Sequence, residues 1–102
     1  MKRLRLGPLS QYADGCGVGV QIADRRFAVF RHGATVYVVD DVCPHRGFPL
    51  HDGTLVGDLV RCRTHGSCFN LKTGAVERGP AAAGVRVYHV EIVDGEVEVE
   101  IP

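Results

Sequence analysis

The apolar positions of this chain fall in short runs, rich in valine, that turn residues separate. Near the C-terminus, Val85–Val93 and Glu96–Ile101 flank Asp94-Gly95, and such a dipeptide between two apolar runs predicts a type I′ hairpin. In the last run, apolar residues alternate with glutamates, which predicts one buried face and one acidic face in contact with water. We expect the glutamate row to discourage pairing at a sheet edge.

The first half of the chain shows the same pattern. Val18–Ile22 and Arg25–Arg31 are predicted to form a hairpin across Ala23–Asp24, and Thr35–Asp40 follows a second turn at His32–Gly33. No segment has the apolar spacing of a helix. These features predict an all-β fold.

The stretch from Asp41 to Pro80 differs from its flanks. It contains three of the four cysteines, and glycine recurs every few residues. A loop-rich insert between two β halves fits this composition, with short strands at Leu59–Arg61 and Ser67–Asn70. A length of 102 residues suits one domain. We therefore predict a single domain over 1–102, with a subdomain at about 41–80.

Charge and hydropathy restrict the function. Lysine plus arginine equals aspartate plus glutamate at twelve each, so the chain lacks the basic surplus of nucleic-acid-binding proteins. Met1–Arg5 is basic and Glu91–Glu100 is acidic, and both segments are expected to be solvated surfaces. The acidic C-terminal hairpin is a candidate docking face. No apolar run reaches the roughly 18 residues of a membrane helix, and no secretory signal begins the chain, which predicts a cytoplasmic protein.

Two short boxes carry the metal chemistry. The first is Cys43-Pro44-His45 and the second is Cys62-Arg63-Thr64-His65, with sixteen residues between them. In a reducing compartment, cysteines with this spacing favour a metal over disulfides. One thiolate and one imidazole from each box suit zinc or an iron–sulfur centre. A C-x-H box is shorter than the usual zinc turn, which favours two facing loops around a two-iron unit.

The two boxes resemble those of the Rieske ferredoxin family, which has C-x-H followed by C-x-x-H. Phe69–Gly74 is similar to the F-D-L-x-T-G segment of that family, and Gly79-Pro80 resembles the loop that covers its cluster. The resemblance implies a Rieske-like antiparallel β-sandwich that holds one [2Fe–2S] cluster. It further implies the cluster ligands, with one iron on the two cysteines and the other on the two histidines: Cys43, His45, Cys62 and His65.

By the same resemblance, the chain is expected to be a single-electron carrier and not an enzyme. Its expected partners are a flavin-dependent reductase and a terminal oxygenase, such as an aromatic-ring dioxygenase. Two alternatives stay open. One is a small Rieske-like subunit of a nitrite reductase or a similar redox complex, and the other is a structural zinc module on the same four residues.

Departures from the high-potential members of the family concern the surroundings of the cluster. Phe48 and Thr64 stand where those members have a disulfide-bonded cysteine pair, and Phe69 replaces a tyrosine that donates a hydrogen bond. Ser67 is a candidate for the remaining side-chain donor. Fewer donors stabilise the reduced cluster less, so we expect a potential of roughly −150 to 0 mV.

Other glycines and cysteines have simpler expected roles. Gly47 and Gly66 are predicted to leave backbone N–H groups free to approach the bridging sulfides. Cys16 and Cys68 are predicted to be small buried apolar residues.

Three histidines, His32, His51 and His89, match neither box and are expected to be structural. Asp40–Asp41 is expected to end a strand beside the first box. Gly15-x-Gly17-x-Gly19 precedes a strand and not a helix, so it is a weak signal for dinucleotide binding.

Overall fold

A computed structural model describes residues 2–44, 47–63, 66–79, 81 and 83–102 of the protein. One 3₁₀ turn, Leu9–Gln11, is the only helical element in these ranges, and they contain no helix of the length and hydrophobicity that a bilayer crossing requires. The all-β prediction is confirmed. The strands are β1 (Lys2–Pro8), β2 (Gly17–Ile22), β3 (Arg25–His32), β4 (Thr35–Asp40), β5 (Thr54–Val56), β6 (Leu59–Arg61), β7 (Cys68–Asn70), β8 (Val76–Arg78), β9 (Val87–Tyr88), β10 (Val90–Val93) and β11 (Glu96–Ile101).

The strands form three antiparallel sheets. Sheet A has the order β1-β11-β10, sheet B has the order β2-β3-β4-β9, and sheet C has the order β5-β6-β7-β8. The hairpins predicted from the sequence in the first half of the chain are β2–β3 and β3–β4 of sheet B. Sheet C lies within the loop-rich stretch, where two of its strands had been expected.

Sheet B is the middle layer, because β3 is buried on both faces. Four consecutive side chains of β3 are fully inaccessible. Phe27 and Val29 pack with sheet A, whereas Ala28 and Phe30 pack with the residues of sheet C and its loops. Side chains alternate along a strand, so this one strand contributes to two hydrophobic cores.

The C-terminal hairpin forms as predicted. Asp94 and Gly95 have φ of 50° and 79°, the left-handed values that a type I′ turn needs at both central positions. However, the predicted strand Val85–Val93 is wrong in its continuity. It divides at His89 into β9, which pairs with β4 in sheet B, and β10, which pairs with β11 in sheet A. The chain changes sheet at this residue, and the apolar pattern carries no sign of such a crossing.

The N-terminal strand β1 was not predicted, and it changes the interpretation of the charged ends. It pairs with β11, so β11 is the central strand of sheet A and its glutamates do not protect an edge. The Arg3 guanidinium lies 3.0 Å from Glu91, 3.4 Å from Glu98 and 3.3 Å from Glu100. The expectation of two separate charged surfaces is therefore wrong. Acidic and basic residues pair with each other on one face.

A polar contact joins sheet B to the β5–β6 turn. The Tyr37 hydroxyl on β4 donates a hydrogen bond to Asp58, and Lys72 lies 3.1 Å from the same carboxylate. Desolvation, followed by the neighbouring Asp58, raises the pKa of Tyr37 to about 12. The hydrogen bond from Tyr37, followed by that from Lys72, lowers the pKa of Asp58. A lowered carboxyl pKa means that the contact stabilises the fold above the pKa of the unfolded chain, and that this contribution is lost as the pH falls through the folded pKa.

The substitution Tyr37→Phe should raise the pKa of Asp58, because it removes the largest cause of the depression. The pH at which the protein loses this contribution to its stability should then lie closer to the pKa of the carboxyl in the unfolded chain. Carbon-13 NMR titration of the Asp58 carboxyl and thermal unfolding between pH 3 and pH 7 measure the two effects. Tyr88→Phe, which removes a hydroxyl bonded to Asp40, is the matched control. An unchanged Asp58 titration in Tyr37→Phe would contradict this account.

Candidate metal centre

The first ligand loop follows β4 and closes through backbone hydrogen bonds. The Cys43 N–H donates to the Phe48 carbonyl at 2.6 Å, and the Gly47 N–H donates to the Cys43 carbonyl at 2.7 Å. These two bonds draw a six-residue segment into a tight loop that begins at the cysteine of the first box. His45, which the sequence predicts as a ligand on this loop, lies outside the described residues.

The second ligand loop, at the tip of the β6–β7 hairpin, repeats this arrangement position by position. The Cys62 N–H donates to the Ser67 carbonyl at 2.8 Å, and the Gly66 N–H donates to the Cys62 carbonyl at 3.0 Å. In each loop the cysteine comes first, the glycine four residues later, and the closing carbonyl five residues later. His65 also lies outside the described residues. The two boxes thus share one backbone design, although their side-chain spacing differs.

The glycines of the two loops have a conformational role. Gly47 and Gly66 have φ of 77° and 80°, a left-handed conformation that only glycine adopts at little cost. Their N–H groups bond to the cysteine carbonyls. Closing the loop thus uses the N–H groups of the two glycines themselves, and the approach of other backbone N–H groups to the bridging sulfides stays a prediction.

Both predicted cysteine ligands are almost completely buried. Cys43 is 2% exposed and Cys62 is 1% exposed, and both belong to the core cluster between sheets B and C. Leu50, Val60 and Phe69 belong to the same cluster. The structure therefore brings the two sulfur ligands of the two boxes to one buried region. Thiolates in a pair of matched loops fit a soft metal centre, iron–sulfur or zinc, and burial keeps water from the metal side of the loops.

Ser67 connects the second ligand loop to a third loop. Its side chain is fully buried, and its hydroxyl oxygen accepts a hydrogen bond from the Ala81 N–H at 2.9 Å. Ala81 follows the Gly79-Pro80 pair predicted to cover the cluster, of which Pro80 lies outside the described residues. Ser67 therefore holds the start of this third loop against the second box, a role that the sequence did not predict.

The two remaining cysteines differ from each other. Cys16 is exposed, so the prediction that it is buried is wrong. It lies at the end of the turn before β2, where its carbonyl accepts a hydrogen bond from Arg31 while its side chain faces solvent. Cys68, on β7, is half-buried, with its sulfur 3.6 Å from the Gly66 carbonyl oxygen.

The other histidines each have an acidic neighbour. His32 lies 4.0 Å from Asp58, and His89 lies 3.3 Å from Glu91 on the outer sheet. His51 lies 2.7 Å from Asp41. Within the described ranges, no group of three or more histidine, cysteine or acidic side chains is placed to hold a metal ion.

An apolar side chain is exposed beside the first ligand loop. Phe48, whose carbonyl closes that loop, is 46% exposed. A groove of about 240 Å³ lies between Phe48, Pro49, Asp52 and Arg63, and the last two form an ion pair at 3.1 Å. The surface near the two boxes therefore combines an aromatic ring with an exposed ion pair.

Comparison with known proteins agrees with this geometry. The chain is 40% identical over 72 residues to the ferredoxin CarAc of Metapseudomonas resinovorans, which covers 71% of this chain and 67% of that protein. It is 31% identical over 96 residues to the anthranilate 1,2-dioxygenase ferredoxin subunit of Burkholderia cepacia, and the match covers 94% of this chain and 89% of that protein. Among solved structures, the complex of reduced oxygenase and oxidized ferredoxin in carbazole 1,9a-dioxygenase matches with a TM-score of 0.89 at 34% identity, covering 95% of this chain and 91% of that one.

The Rieske [2Fe–2S] domain family matches residues 2–89, which is most of the chain and includes both boxes. The same residues include sheets B and C, strand β1 of sheet A and both ligand loops. The cofactor of this family is a single [2Fe–2S] cluster of the Rieske type. The chain belongs to the Rieske [2Fe–2S] domain family.

Proposed function

We propose that the chain is a single Rieske domain over 1–102, in which residues 41–80 hold one [2Fe–2S] cluster. The proposed ligands are Cys43 and Cys62 on one iron, and His45 and His65 on the other. The observation that carries this assignment is the pair of deeply buried cysteines at equivalent positions of two matched loops. When bound, such a cluster accepts and releases one electron at a time.

The proposed activity is single-electron transfer from a flavin-dependent reductase to a terminal oxygenase, in the cytoplasm and without nucleic acid or membrane as a partner. The relatives named as ferredoxins or ferredoxin subunits are matched over 67% and 89% of their own lengths, so the likeness covers most of those proteins. A ferredoxin with the same fold has been captured with its oxygenase. The protein itself needs no substrate pocket for this activity, only a ligand site and a docking surface.

The docking surface that we propose surrounds Phe48. Interfaces of transient complexes commonly have a small apolar centre within a polar rim, and exposed aromatic residues contribute much of the binding free energy. Phe48 supplies the ring, and the ion pair between Asp52 and Arg63 supplies part of the rim. Because the Phe48 carbonyl also closes the first ligand loop, the docking residue and the cluster site share one backbone segment.

Substitution of a ligand tests the cluster. His45→Ala and His65→Ala should each abolish the rhombic EPR signal of the dithionite-reduced protein and lower the iron content below two per chain. His89→Ala is the control, because His89 is an exposed histidine that contacts Glu91 on the outer sheet. A wild-type protein with one zinc per chain and no signal would contradict the proposal and support the structural zinc module.

Substitution of the exposed ring tests docking. Phe48→Ala should slow the oxidation of the reduced protein by its terminal oxygenase by roughly tenfold at subsaturating concentration, since loss of an interface aromatic typically costs more than about 1 kcal/mol. Stopped-flow absorbance measures this rate. Val56→Ala is the matched control, because Val56 is an apolar side chain that is 65% exposed. It lies beside the β5–β6 turn, whereas Cys62 lies at the other end of β6.

Sedimentation with and without the oxygenase separates a transient carrier from a permanent subunit. A carrier should sediment alone in analytical ultracentrifugation and bind the oxygenase reversibly. A stable complex with one large redox enzyme, unaffected by Phe48→Ala, would support the subunit alternative.

A further inference from the structure

The two ligand loops are held by the fold in different ways. The second loop is the tip of a hairpin, and the last strand pair, Arg61 with Cys68, lies directly beside Cys62. The first loop belongs to the segment 41–53, which leaves β4 in sheet B and enters β5 in sheet C. None of the described residues of this segment belongs to a strand. The first loop therefore has no strand ladder to position it, and side-chain contacts contribute to its placement.

One buried carboxylate makes these connections. Asp41 is 5% exposed, and its Oδ1 accepts hydrogen bonds from the N–H groups of Leu50 at 2.8 Å and His51 at 2.9 Å. Its own N–H donates to the Arg26 carbonyl on β3 at 3.1 Å. Asp41 lies two residues before Cys43, whereas Leu50 and His51 follow the first box. The carboxylate thus joins the two ends of the ligand segment through charge-assisted hydrogen bonds, and the backbone N–H of the same residue ties them to sheet B.

The imidazole of His51 completes this arrangement. Its Nδ1 lies 2.7 Å from Oδ2 of Asp41, and because that carboxylate only accepts hydrogen bonds, Nδ1 carries the proton and donates it. The ring is 35% exposed, with one side on an open cleft of about 190 Å³ that Gln21 and Arg26 also line. We name Asp41 and His51 together the loop clamp.

The loop clamp packs directly on β2. A Cβ atom on Gly19 would lie 2.8 Å from Nδ1 of His51 and 3.1 Å from Oδ2 of Asp41, and one on Gly17 would overlap the His51 carbonyl oxygen. Neither glycine has a left-handed φ, so close approach of the loop is what requires them. The Gly-x-Gly pattern at these two positions is therefore a packing surface for the clamp, and it has no part in dinucleotide binding.

We propose that Asp41 and His51 are positioning residues of the cluster site, which hold the first ligand loop against sheet B and thereby set the equilibrium between oxidised and reduced protein. This inference rests on the proposed function. Two residues of extended chain span at most about 7 Å, so the carboxylate of Asp41 is close to the ligand Cys43. Reduction adds negative charge to the site, which a nearby carboxylate opposes. At about 10 Å and an effective dielectric constant of about 20, one unit charge changes that equilibrium roughly tenfold.

The substitution Asp41→Asn should shift the equilibrium constant for reduction towards the reduced state by roughly tenfold, and it should change the shape of the EPR spectrum. The shift arises from the lost charge. The change in line shape arises from the loss of Oδ2 as the acceptor for His51 Nδ1, because the amide oxygen of asparagine can replace only Oδ1. A spectroelectrochemical titration of the cluster-loaded protein measures the first effect. Asp40→Asn is the matched control, because Asp40 is the preceding carboxylate but bonds to Tyr88 and not to the ligand segment.

Asp40→Asn should shift the reduction equilibrium less than Asp41→Asn does, and it should leave the EPR spectrum unchanged. Equal shifts in both variants, with both spectra unchanged, would reduce the effect to charge alone and overturn the positioning role. No shift in Asp41→Asn would overturn it as well.

A second pair of variants tests position without removing the carboxylate. His51→Ala leaves Oδ2 of Asp41 without its imidazole donor and should change the reduction equilibrium at least threefold, whereas His51→Gln keeps a side-chain N–H donor and should restore most of the wild-type value. Gly19→Ala should act like His51→Ala, because it displaces the imidazole by contact. In the His51→Ala background, Gly19→Ala should add little, since neighbouring residues that act together are not additive.

The outcomes separate this inference from the proposed function. A wild-type protein that binds no iron would overturn both. A wild-type protein with a normal cluster signal, together with a wild-type equilibrium and spectrum in His51→Ala, would overturn the loop clamp alone. The nitrogen-15 chemical shift of His51 Nδ1 gives a readout that does not depend on electron transfer. This shift should move away from the value of a hydrogen-bonded nitrogen in Asp41→Asn.

Discussion

The structure depends on the burial of two cysteine side chains at the boundary between sheets B and C. Cys43 and Cys62 are 2% and 1% exposed, and they reach this boundary from loops of the same backbone design. Each loop turns back on itself because a glycine with positive φ follows four residues after the cysteine. In the proposed site these two sulfurs are two of the four ligands, and the other contacts of the segment keep the loops in place.

The rest of the fold provides a rigid base for these loops. The strand β3 is buried on both faces, so the core beneath the ligand loops and the core against sheet A share the same backbone. Sheet A closes the far side, where Arg3 links glutamates from two strands. Arg3 offsets only part of the acidic charge of sheet A. The docking surface that we propose is instead the one around the first loop, where an exposed aromatic ring lies beside the proposed ligands.

The surroundings of the two ligand loops are buried on one side and exposed on the other. The sulfur side of the loops is dry, while Phe48 at the end of the first loop is open to a partner. The likeness to ferredoxin components of dioxygenase systems fits a protein that needs a fixed redox centre and a small, reversible contact surface. The two loops nevertheless have different supports: a strand ladder holds the second, and the Asp41–His51 contact holds the first. A substitution can therefore change the position of one loop without changing that of the other.

Much of this protein was predictable from local sequence. Three strands of sheet B (β2, β3 and β4), the turn at Asp94-Gly95 and the two boxes follow from apolar spacing, turn residues and ligand type. These patterns report on backbone conformation and on chemistry within a few residues. Only the tertiary structure showed that β1 pairs with β11, that Cys16 is exposed and that Gly17 and Gly19 make room for His51. Arg3 and Glu98 are 95 positions apart, and a contact over that distance leaves no periodic trace in either segment. The physical reason is that local spacing determines which face of a strand is buried, whereas the packing of the whole chain decides what covers that face.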